Sequence, residues 1–572
     1  MTTEWGERLD QNAVLQEYPR PQLVRESYVN FNGLWDYAIS DGGEEPAQYD
    51  GQILVPFSPE APLSGVERTL LPGQTLWYRR KLALAPQPGK RLLLHFGACD
   101  QTAEVFVNRK KLTEHTGGYS SFTADATDAL AQENTLTVRV RDGTDTNSLA
   151  RGKQRRKRGG IWYTPQSGLW QTVWAEWVPE TYISGLRITP DTDRGCVRVT
   201  VQSEKNAACY LLFGGKRTGG YTNRELTISV DCPELWTPEH PKLYDFSAEL
   251  GEDHVDSYFA LRKISVGPDA EGRPRILLNN RPCYQHGVLD QGYWPDGLYT
   301  APSDEALVYD ISLMKRMGFN MLRKHMKCEP LRWYYHCDRL GMLVWQDMPA
   351  GGGRYDPLVI SAPLVTGLHR KDSAYRAFAR EDAAGREQFL RELRELVCQL
   401  YNCPSIVLWT PFNEGWGQFD AAGAVQLIET LDKTRLVDHA SGWHDQKIGK
   451  LQSLHVYFRP YRFHPDRLGR AVALTEFGGY QLAPAGHTWG ARSYGYRGCK
   501  TPEALEEVFR KLFESQIIPA KQRGLSASVY TQLSDVEDEC NGLVSYDRRV
   551  VKLPQAVLRE ISLRLTGEGL SE

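Results

Sequence analysis

The chain has 572 residues, of which 41% are hydrophobic and 24% are charged, and its formal net charge is -3 with a pI near 6.5. This composition is typical of a globular protein, and the length suggests about three domains. The small negative charge gives no bulk attraction for nucleic acid or an anionic membrane, and no apolar run approaches the ~18 residues of a membrane span, so we expect neither as a partner.

The amino terminus and the cysteines suggest a compartment. The chain begins MTTEWGERLD, without a basic segment followed by an apolar one, so we expect no signal peptide. The eleven cysteines are odd in number and form no CxxC pair, which is typical of reduced thiols. We therefore expect a cytoplasmic protein that uses neither a metal nor a cofactor.

The first 179 residues consist of short strand-like runs separated by Gly, Asn, Asp and Pro, such as RLLLHFGA, AEVFVNRKKL, NTLTVRVRD and QTVWAEWV. Many short strands with few helical stretches predict a β-sandwich. The pattern restarts near Glu180, where six or seven short strands follow in under about 100 residues. That spacing predicts an immunoglobulin-like sandwich over residues 180–268.

From residue 269, apolar strand-like runs alternate with helix-like stretches. The strand candidates are CYQHGV, FNMLRKH, GMLVWQD, SIVLWTPFN, RLVDHA, SLHVY, VALTEF and SASVYTQ. Eight such units in about 290 residues predict a C-terminal (β/α)8 TIM barrel over residues 269–572. A doubly wound sheet is the competing architecture, but eight successive units favour closure.

Two carboxyl groups follow apolar strands of the predicted barrel, where active sites of this fold lie. The fourth run ends in Asn413-Glu414, and the seventh ends in Glu476. One such residue alone could be a solvated loop residue or half of a structural pair. Two carboxyls on different strands, which are costly to bury unless paired or hydrogen-bonded, point to an acid/base and a nucleophile.

The chain resembles glycoside hydrolase family 2, which contains β-galactosidases, β-glucuronidases and β-mannosidases, over nearly its whole length. The stretches similar to its sugar-binding jelly-roll domain are NFNGLWDY, TLWYRRKL and GIWYTPQSGLWQTVW. ELWTPEHPKLYDF is similar to the end of its immunoglobulin-like domain, and FNMLRKH, TPFNEGW and LTEFGGY are similar to its barrel strands. The resemblance implies a jelly-roll over 1–179, a three-domain form and a carbohydrate substrate.

The resemblance also implies roles for single residues. Glu414 matches the general acid/base and Glu476 the nucleophile, while Asn413 matches the asparagine that binds the sugar 2-hydroxyl. Arg323 matches a cation beside the nucleophile, and Tyr457 the tyrosine before its strand. Further substrate-binding candidates are His325, His455, Asp347, Asp290, Trp294 and Trp443. A retaining mechanism needs the two carboxyls about 5–5.5 Å apart.

The resemblance favours a retaining, exo-acting β-glycosidase that is β-galactosidase-like. The Asn-x-Lys element of β-glucuronidases is missing from DVEDECNGLVSYDR, which counts against a β-glucuronide unless Lys324 or Lys327 replaces it. Arabinopyranosides, galactofuranosides, β-glucosides and β-mannosides are the other sugar alternatives. A carbohydrate-binding protein without turnover is the alternative from another class.

Two unusual segments flank these motifs. The basic run RGKQRRKRGG (151–160) resembles a nucleic-acid patch in isolation, but in a chain of net charge -3 we expect a solvated loop. The family resemblance, carried by GKQ before IWY, implies that this loop points toward the active-site rim, and substrate contact or intersubunit contact is the alternative. Residues 350–386 form a long insertion, which we expect to cover the site as a lid. Relatives of this type commonly form oligomers, so a homo-oligomer is an open alternative.

Overall fold

The computed structural model describes residues 1–567, so the last five residues of the predicted barrel segment lie outside the described residues. Two antiparallel sandwiches are followed by an eight-stranded parallel barrel, which confirms the predicted fold class. None of the eleven cysteines, all of which lie within residues 1–567, forms a disulfide. Within residues 1–567, every helix is too short or too polar to cross a lipid bilayer.

The first sandwich packs a six-stranded sheet on a four-stranded one. Its elements are α1 (Glu4–Glu7), β1 (Val29–Asn30), β2 (Gly33–Ser40), β3 (Gly51–Val55), β4 (Thr75–Leu82), β5 (Lys90–Phe96), β6 (Cys99–Asp100), β7 (Thr102–Val107), β8 (Lys110–Thr116), β9 (Phe122–Asp125), β10 (Asn134–Arg141), β11 (Gly168–Leu169) and β12 (Val173–Pro179). The sheet orders are β3-β2-β4-β10-β7-β8 and β1-β12-β5-β9. Alternate residues of β7, namely Ala103, Val105 and Val107, enter the core because strand side chains alternate between faces.

The second sandwich pairs a three-stranded sheet with a four-stranded sheet. Its strands are β13 (Gly185–Asp191), β14 (Cys196–Gln202), β15 (Ala208–Phe213), β16 (Lys216–Tyr221), β17 (Glu225–Ser229), β18 (Tyr244–Leu250) and β19 (Asp253–Phe259). The sheet orders are β13-β14-β17 and β16-β15-β18-β19. Val197, Val199 and Val201 of β14 lie in the core between them.

A three-stranded meander connects this sandwich to the barrel. It consists of β20 (Ile264–Pro268), β21 (Pro274–Leu278) and β22 (Arg281–Pro282). Ile276 and Leu278 of the meander share a core with Met321 and Leu343, which begin barrel strands. The meander therefore closes the amino-terminal end of the barrel and leaves the carboxyl end open for the site.

The barrel strands follow the order β27-β26-β25-β24-β23-β32-β29-β28. The elements of this part of the chain are β23 (Gln285–Asp290), α2 (Asp304–Arg316), β24 (Met321–Lys324), α3 (Leu331–Leu340), β25 (Leu343–Asp347), α4 (Pro357–Ile360), α5 (Pro363–Thr366), α6 (Ala383–Leu400), β26 (Ile406–Thr410), α7 (Ala421–Leu431), β27 (Leu436–Val437), β28 (Leu451–Val456), β29 (Ala471–Gly478), β30 (Tyr480–Gln481), β31 (Arg497–Gly498), α8 (Pro502–Leu512), α9 (Ile518–Arg523), β32 (Leu525–Thr531) and α10 (Gln555–Thr566). Some of the helices begin at side-chain caps. Ahead of α8, for example, the Thr501 hydroxyl accepts from the Ala504 amide, and Pro502 takes the first helical position.

The barrel has an open seam. Among the described residues no ladder joins β27 to β28, which are the two ends of the eight-stranded sheet. The same part of the chain has no helix between β27 and β28 or between β28 and β29. A helix follows each of the remaining barrel strands. The outer face of β28 is therefore covered by loops alone.

Candidate active site

Two glutamates meet at the carboxyl end of the barrel. Glu414 follows β26, and Glu476 lies within β29. His455 Nδ1 is 2.8 Å from Oε1 of Glu414 and 3.5 Å from Oε2 of Glu476. One ligand-type atom from each of the three side chains lies within 4.8 Å of the others, so this trio could also hold a metal ion. One oxygen of Glu414 thus lies within 4.8 Å of one oxygen of Glu476, which is compatible with the roughly 5–5.5 Å separation of a retaining carboxyl pair.

The backbone around Glu414 is a constrained turn. Glu414 has φ +50°, in the left-handed region that non-glycine residues adopt uncommonly. Its amide donates to the Ser441 carbonyl at 2.9 Å, and its own carbonyl accepts from Trp443 Nε1 at 3.0 Å. The Trp443 side chain therefore helps to fix the position of Glu414 by binding the backbone carbonyl of Glu414.

The Glu414 carboxyl is set up to carry a proton at neutral pH. Burial raises its pKa to about 8, against the lowering effect of Lys153 and Arg323 and with a small further rise from Glu539. Its side chain is only 12% exposed. A carboxylic acid with this pKa can serve as a general acid near pH 7.

A chain of hydrogen bonds fixes the role of His455. The Leu454 carbonyl can only accept, so the Thr475 hydroxyl donates to it, and Ser441 Oγ donates to Thr475 Oγ1 at 2.9 Å. His455 Nε2 lies 3.0 Å from Ser441 Oγ and must then donate to it. Burial lowers the pKa of His455 to about 4. A neutral ring that donates from Nε2 presents a lone pair on Nδ1, which accepts the proton of Glu414.

Glu476 has a different environment. Its Oε1 accepts from Arg323 Nη1 at 3.1 Å, and its Oε2 accepts from the Tyr457 hydroxyl at 2.5 Å. Tyr457 is stacked on Tyr496, with ring centroids 3.8 Å apart. Glu476 therefore accepts from a guanidinium and a phenol, whereas the Glu414 carboxyl faces the His455 imidazole. The two glutamates thus lie in different hydrogen-bond environments.

Arg323 connects the predicted residues. It is fully buried, and it donates to both oxygens of Asp347 at 3.2 and 2.9 Å and to Asn413 Oδ1 at 2.8 Å. Asp347 is therefore engaged by Arg323, and burial raises its pKa to about 6. The Asp347 carboxyl thus orients the Arg323 guanidinium.

Three buried polar atoms beside this network have no hydrogen-bond partner within residues 1–567: Asn413 Nδ2, His325 Nε2 and Trp416 Nε1. His325 Nδ1 lies 2.9 Å from Gln291 Oε1. This contact leaves the other ring nitrogen, Nε2, available to a ligand. Unsatisfied buried groups are uncommon, and sugar hydroxyl groups would satisfy these.

Two predicted contacts lie away from the glutamates. Asp290 accepts from Lys324 Nζ at 2.6 Å, and Trp294 lies under the Arg548 guanidinium at 4.1 Å within the buried core. Lys324 and Lys327 both donate to Glu329 at 2.8 Å and are buried. The idea that either lysine replaces the missing Asn-x-Lys element is therefore wrong, because both charges are already neutralised.

Sequence reasoning missed a contribution from the first sandwich. Lys153 Nζ lies 3.1 Å from the Tyr163 hydroxyl and 3.6 Å from Glu539 Oε2, and the Tyr163 hydroxyl donates to Glu539. Lys153 is 5% exposed and close enough to Glu414 to influence its pKa. The letters GKQ within the basic run were the available signal; the resemblance placed their loop toward the rim of the site, but Lys153 was not singled out from the other basic residues.

The rest of the basic run contacts both its own domain and the barrel, and the insertion contacts the barrel. Arg155 lies 3.5 Å above the Trp162 ring, and Arg158 is within 3.5 Å of Glu537. The insertion folds into α4 and α5, and its Val359 carbonyl is 2.8 Å from His444 Nε2. Trp416 stacks between this insertion and the first sandwich, 6.2 Å from the Tyr355 ring and 4.7 Å from that of Trp162.

Two family models match parts of the chain. The model of the family described as "Glycosyl hydrolases family 2, TIM barrel domain" matches residues 272–475, and that of "Glycosyl hydrolases family 2" matches residues 181–262. A β-glucuronidase of Bacteroides fragilis is 27% identical over 372 residues, which are 59% of this chain and 49% of that protein. A β-galactosidase of Thermoanaerobacter pseudethanolicus is 22% identical over 390 residues, 63% of this chain and 47% of that protein.

Among solved structures, a β-D-glucuronidase of Dictyoglomus thermophilum superposes with a TM-score of 0.73 at 17% identity, and the match covers 96% of this chain and 99% of that one. At this identity the match concerns the fold alone. The chain spans about half the length of the two curated relatives named above.

Proposed function

Because the chain belongs to glycoside hydrolase family 2, we propose that it is a retaining β-glycosidase with Glu476 as nucleophile and Glu414 as acid/base. The observation that carries this proposal is the pair of carboxyls bridged by His455 with atoms within 4.8 Å. One carboxyl is held protonated by burial, while the other accepts from a guanidinium and a phenol.

In the first step, a carboxylate oxygen of Glu476 attacks the anomeric carbon, and the bond to the glycosidic oxygen breaks. The proton of Glu414 moves to that oxygen, so the leaving group departs as an alcohol. Asn413 Nδ2, which has no partner among the described residues, is placed to bind the sugar 2-hydroxyl, an interaction that strengthens in the transition state.

In the second step, Glu414 is a carboxylate and removes a proton from water, whose oxygen attacks the anomeric carbon. The bond to Glu476 breaks, and the sugar leaves with its original configuration. The lone pair on His455 Nδ1 faces the Glu414 carboxylate at 2.8 Å. That repulsion favours protonation of Glu414 and so makes it a stronger base.

A β-glucuronide is the first candidate substrate. A β-glucuronidase is the curated relative with 27% identity, against 22% for the β-galactosidase, which supports this sugar over the β-galactoside favoured by the sequence. Lys153 supports it, because its buried ammonium donates to Tyr163 and has protons left for a sugar carboxylate.

A β-galactoside is the second candidate. A β-galactosidase is also among the curated relatives, and Glu539 places a negative charge 3.6 Å from Lys153. The Glu539 carboxylate partly offsets the charge of Lys153. It suits a neutral sugar, because it can accept hydrogen bonds from the sugar hydroxyls. A binding protein without turnover is disfavoured by the two differently prepared carboxyls.

A panel of 4-nitrophenyl β-glycosides tests the proposal, with the glucuronide and galactoside compared directly and the anomeric configuration of the first-formed product followed by NMR. We expect hydrolysis with retention. Glu476→Gln should lower kcat at least about a thousandfold with unchanged circular dichroism, whereas the exposed control Glu507→Gln should act as wild type. Inverted product, or full activity of Glu476→Gln, contradicts the mechanism.

A further inference from the structure

One face of the molecule concentrates exposed apolar side chains. Ten large hydrophobic residues are exposed within residues 1–567, and five of them belong to two neighbouring segments of the barrel. These five are Leu358, Val365, Leu368, Phe458 and Leu468, with exposures from 58% to 79%. Clustering of this kind marks a binding surface more often than scattered exposure does.

The two segments flank a groove of about 730 Å³. Its floor is the outer face of β28, with Gln452, Leu454 and Val456, where the described chain places no covering helix. One wall comes from the insertion, including Leu364, and the other from the loop that follows β28, including Leu468. The missing helices of the barrel thus leave room for a ligand.

The groove is strongly cationic. Lys447, Arg459, Arg462 and Arg467 line it with exposed side chains, and within residues 1–567 none of them has a carboxylate within ion-pair distance. The two acidic residues of the lining, Asp445 and Asp466, are both bound to Arg470 at 2.7 and 3.0 Å. The lining has five cations and two carboxylates, so its net charge is +3 in a chain whose net charge is -3.

Two residues that line the groove also contact the acid/base. Trp443 and His455 line it, and both contact Glu414, through its carbonyl at 3.0 Å and its carboxyl at 2.8 Å. A general acid protonates the glycosidic oxygen, so the leaving group lies on the side of Glu414. The groove extends outward from that side.

We propose that this groove binds the leaving group of the substrate, and that the leaving group is an anion with an apolar body, such as an aryl carboxylate. The proposal rests on the proposed glycosidase function. A neutral leaving group would use the apolar walls but not the four cations. Exposed ion pairs are individually weak, so several together give a preference of about tenfold, which salt should screen.

The test compares the β-glycosides of 4-hydroxybenzoate and of its methyl ester, made on the sugar that the panel identifies. For the wild type, we expect kcat/KM to favour the anionic glycoside about tenfold at low salt and nearly equal values at about 0.5 M salt. Arg459→Ala/Arg462→Ala should lose the preference while hydrolysing the ester within about twofold of wild type. The control Lys205→Ala/Arg224→Ala removes two exposed cations far along the chain and should keep the preference.

A preference that survives in Arg459→Ala/Arg462→Ala overturns the proposal, as does an equal loss on both glycosides. If no sugar is hydrolysed, the proposed function fails, and the groove is tested by equilibrium titration with 4-hydroxybenzoate and its methyl ester. Tighter binding of the anion by the wild type than by the double variant then supports the site. Equal binding of both compounds overturns it.

Discussion

At the scale of the residue, the proton on Glu414 controls the site. The groups that face it are Lys153, Arg323, Glu539 and His455, with Glu476 across the pocket. Burial, the largest influence, raises its pKa to about 8. The acid form therefore predominates at neutral pH, as the glycosylation step requires.

The alkaline limb of kcat/KM should consequently lie near pH 8. In His455→Ala, Glu414 loses the acceptor for its proton and gains access to water, so the limb should move to lower pH by about one unit. The measurement is kcat/KM against pH for both proteins. A structural role for His455 would lower activity equally at every pH, and an unmoved limb would show that the ring does not hold the proton of Glu414.

Stability should carry the same signature. The pKa of Glu414 is about 8 in the folded protein against 4.5 for the ordinary group, so the folded state binds a proton that the unfolded state releases between these values. Stability from this group is complete below about pH 4.5 and is lost as pH rises through about 8. Glu414→Gln should therefore raise Tm relative to wild type more at pH 8.5 than at pH 5, as measured by calorimetry. An equal difference in Tm at both pH values would contradict the assignment.

Some site residues could be predicted from local sequence motifs, whereas the position of another depends on how two strands pair. Glu414, Glu476, Asn413 and Arg323 lie at strand ends within recognisable motifs, and the structure brings them together. The place of His455 between two carboxyls depends on a register shift in the β28–β29 ladder after Leu454, which no local pattern encodes.

At the scale of the element, the loop between β10 and β11 delivers Lys153 from one domain to the site of another. Lys153→Met should lower kcat/KM for a β-glucuronide at least about a hundredfold, because a buried sugar carboxylate would lose its cation. A β-galactoside should lose less. Lys157→Met, on the exposed part of the same loop, is the matched control and should leave both values near wild type. Equal losses on the two sugars would remove Lys153 from carboxylate recognition.

The barrel strands were predictable because buried parallel strands are continuous apolar runs. The fifth strand was not predictable in length, since RLVDHA pairs only at Leu436–Val437 before the chain leaves the sheet. The outer face of β28 has no covering helix because loops precede and follow this strand. The sequences of these loops lack hydrophobic periodicity, so they do not predict which surface the loops leave uncovered.

At the scale of the whole molecule, buried ion pairs join the two sandwiches. Arg25 is 4% exposed at its side chain and contacts Glu176 of β12 at 3.0 Å and Asp253 of β19 at 2.8 Å. The backbone of Val24 also pairs with Asp256. Composition placed this segment in the first domain, and only the folded chain reveals it as a bridge to the second.

Arg25→Met should destabilise the protein by about 3–5 kcal/mol, because it leaves buried carboxylates without their cation. Urea unfolding followed by fluorescence measures the change, and it should separate the transitions of the two sandwiches. Arg224→Met, on an exposed turn, should change the free energy of unfolding by less than about 0.5 kcal/mol. A change of that small size for Arg25→Met would mean that the bridge contributes nothing net.

The open seam between β27 and β28 has a consequence for heat resistance. Glu414 and His455 approach the seam from opposite sides, so a local separation of its two edges breaks their contact while the remaining ladders stay intact. Such openings need less free energy than global unfolding. Activity should therefore disappear reversibly several degrees below the calorimetric transition, and amides of residues 451–456 should exchange with deuterium sooner than those of β23. The highest temperature at which the protein is active would then be set by local opening of the seam, and it would lie below the temperature of global unfolding.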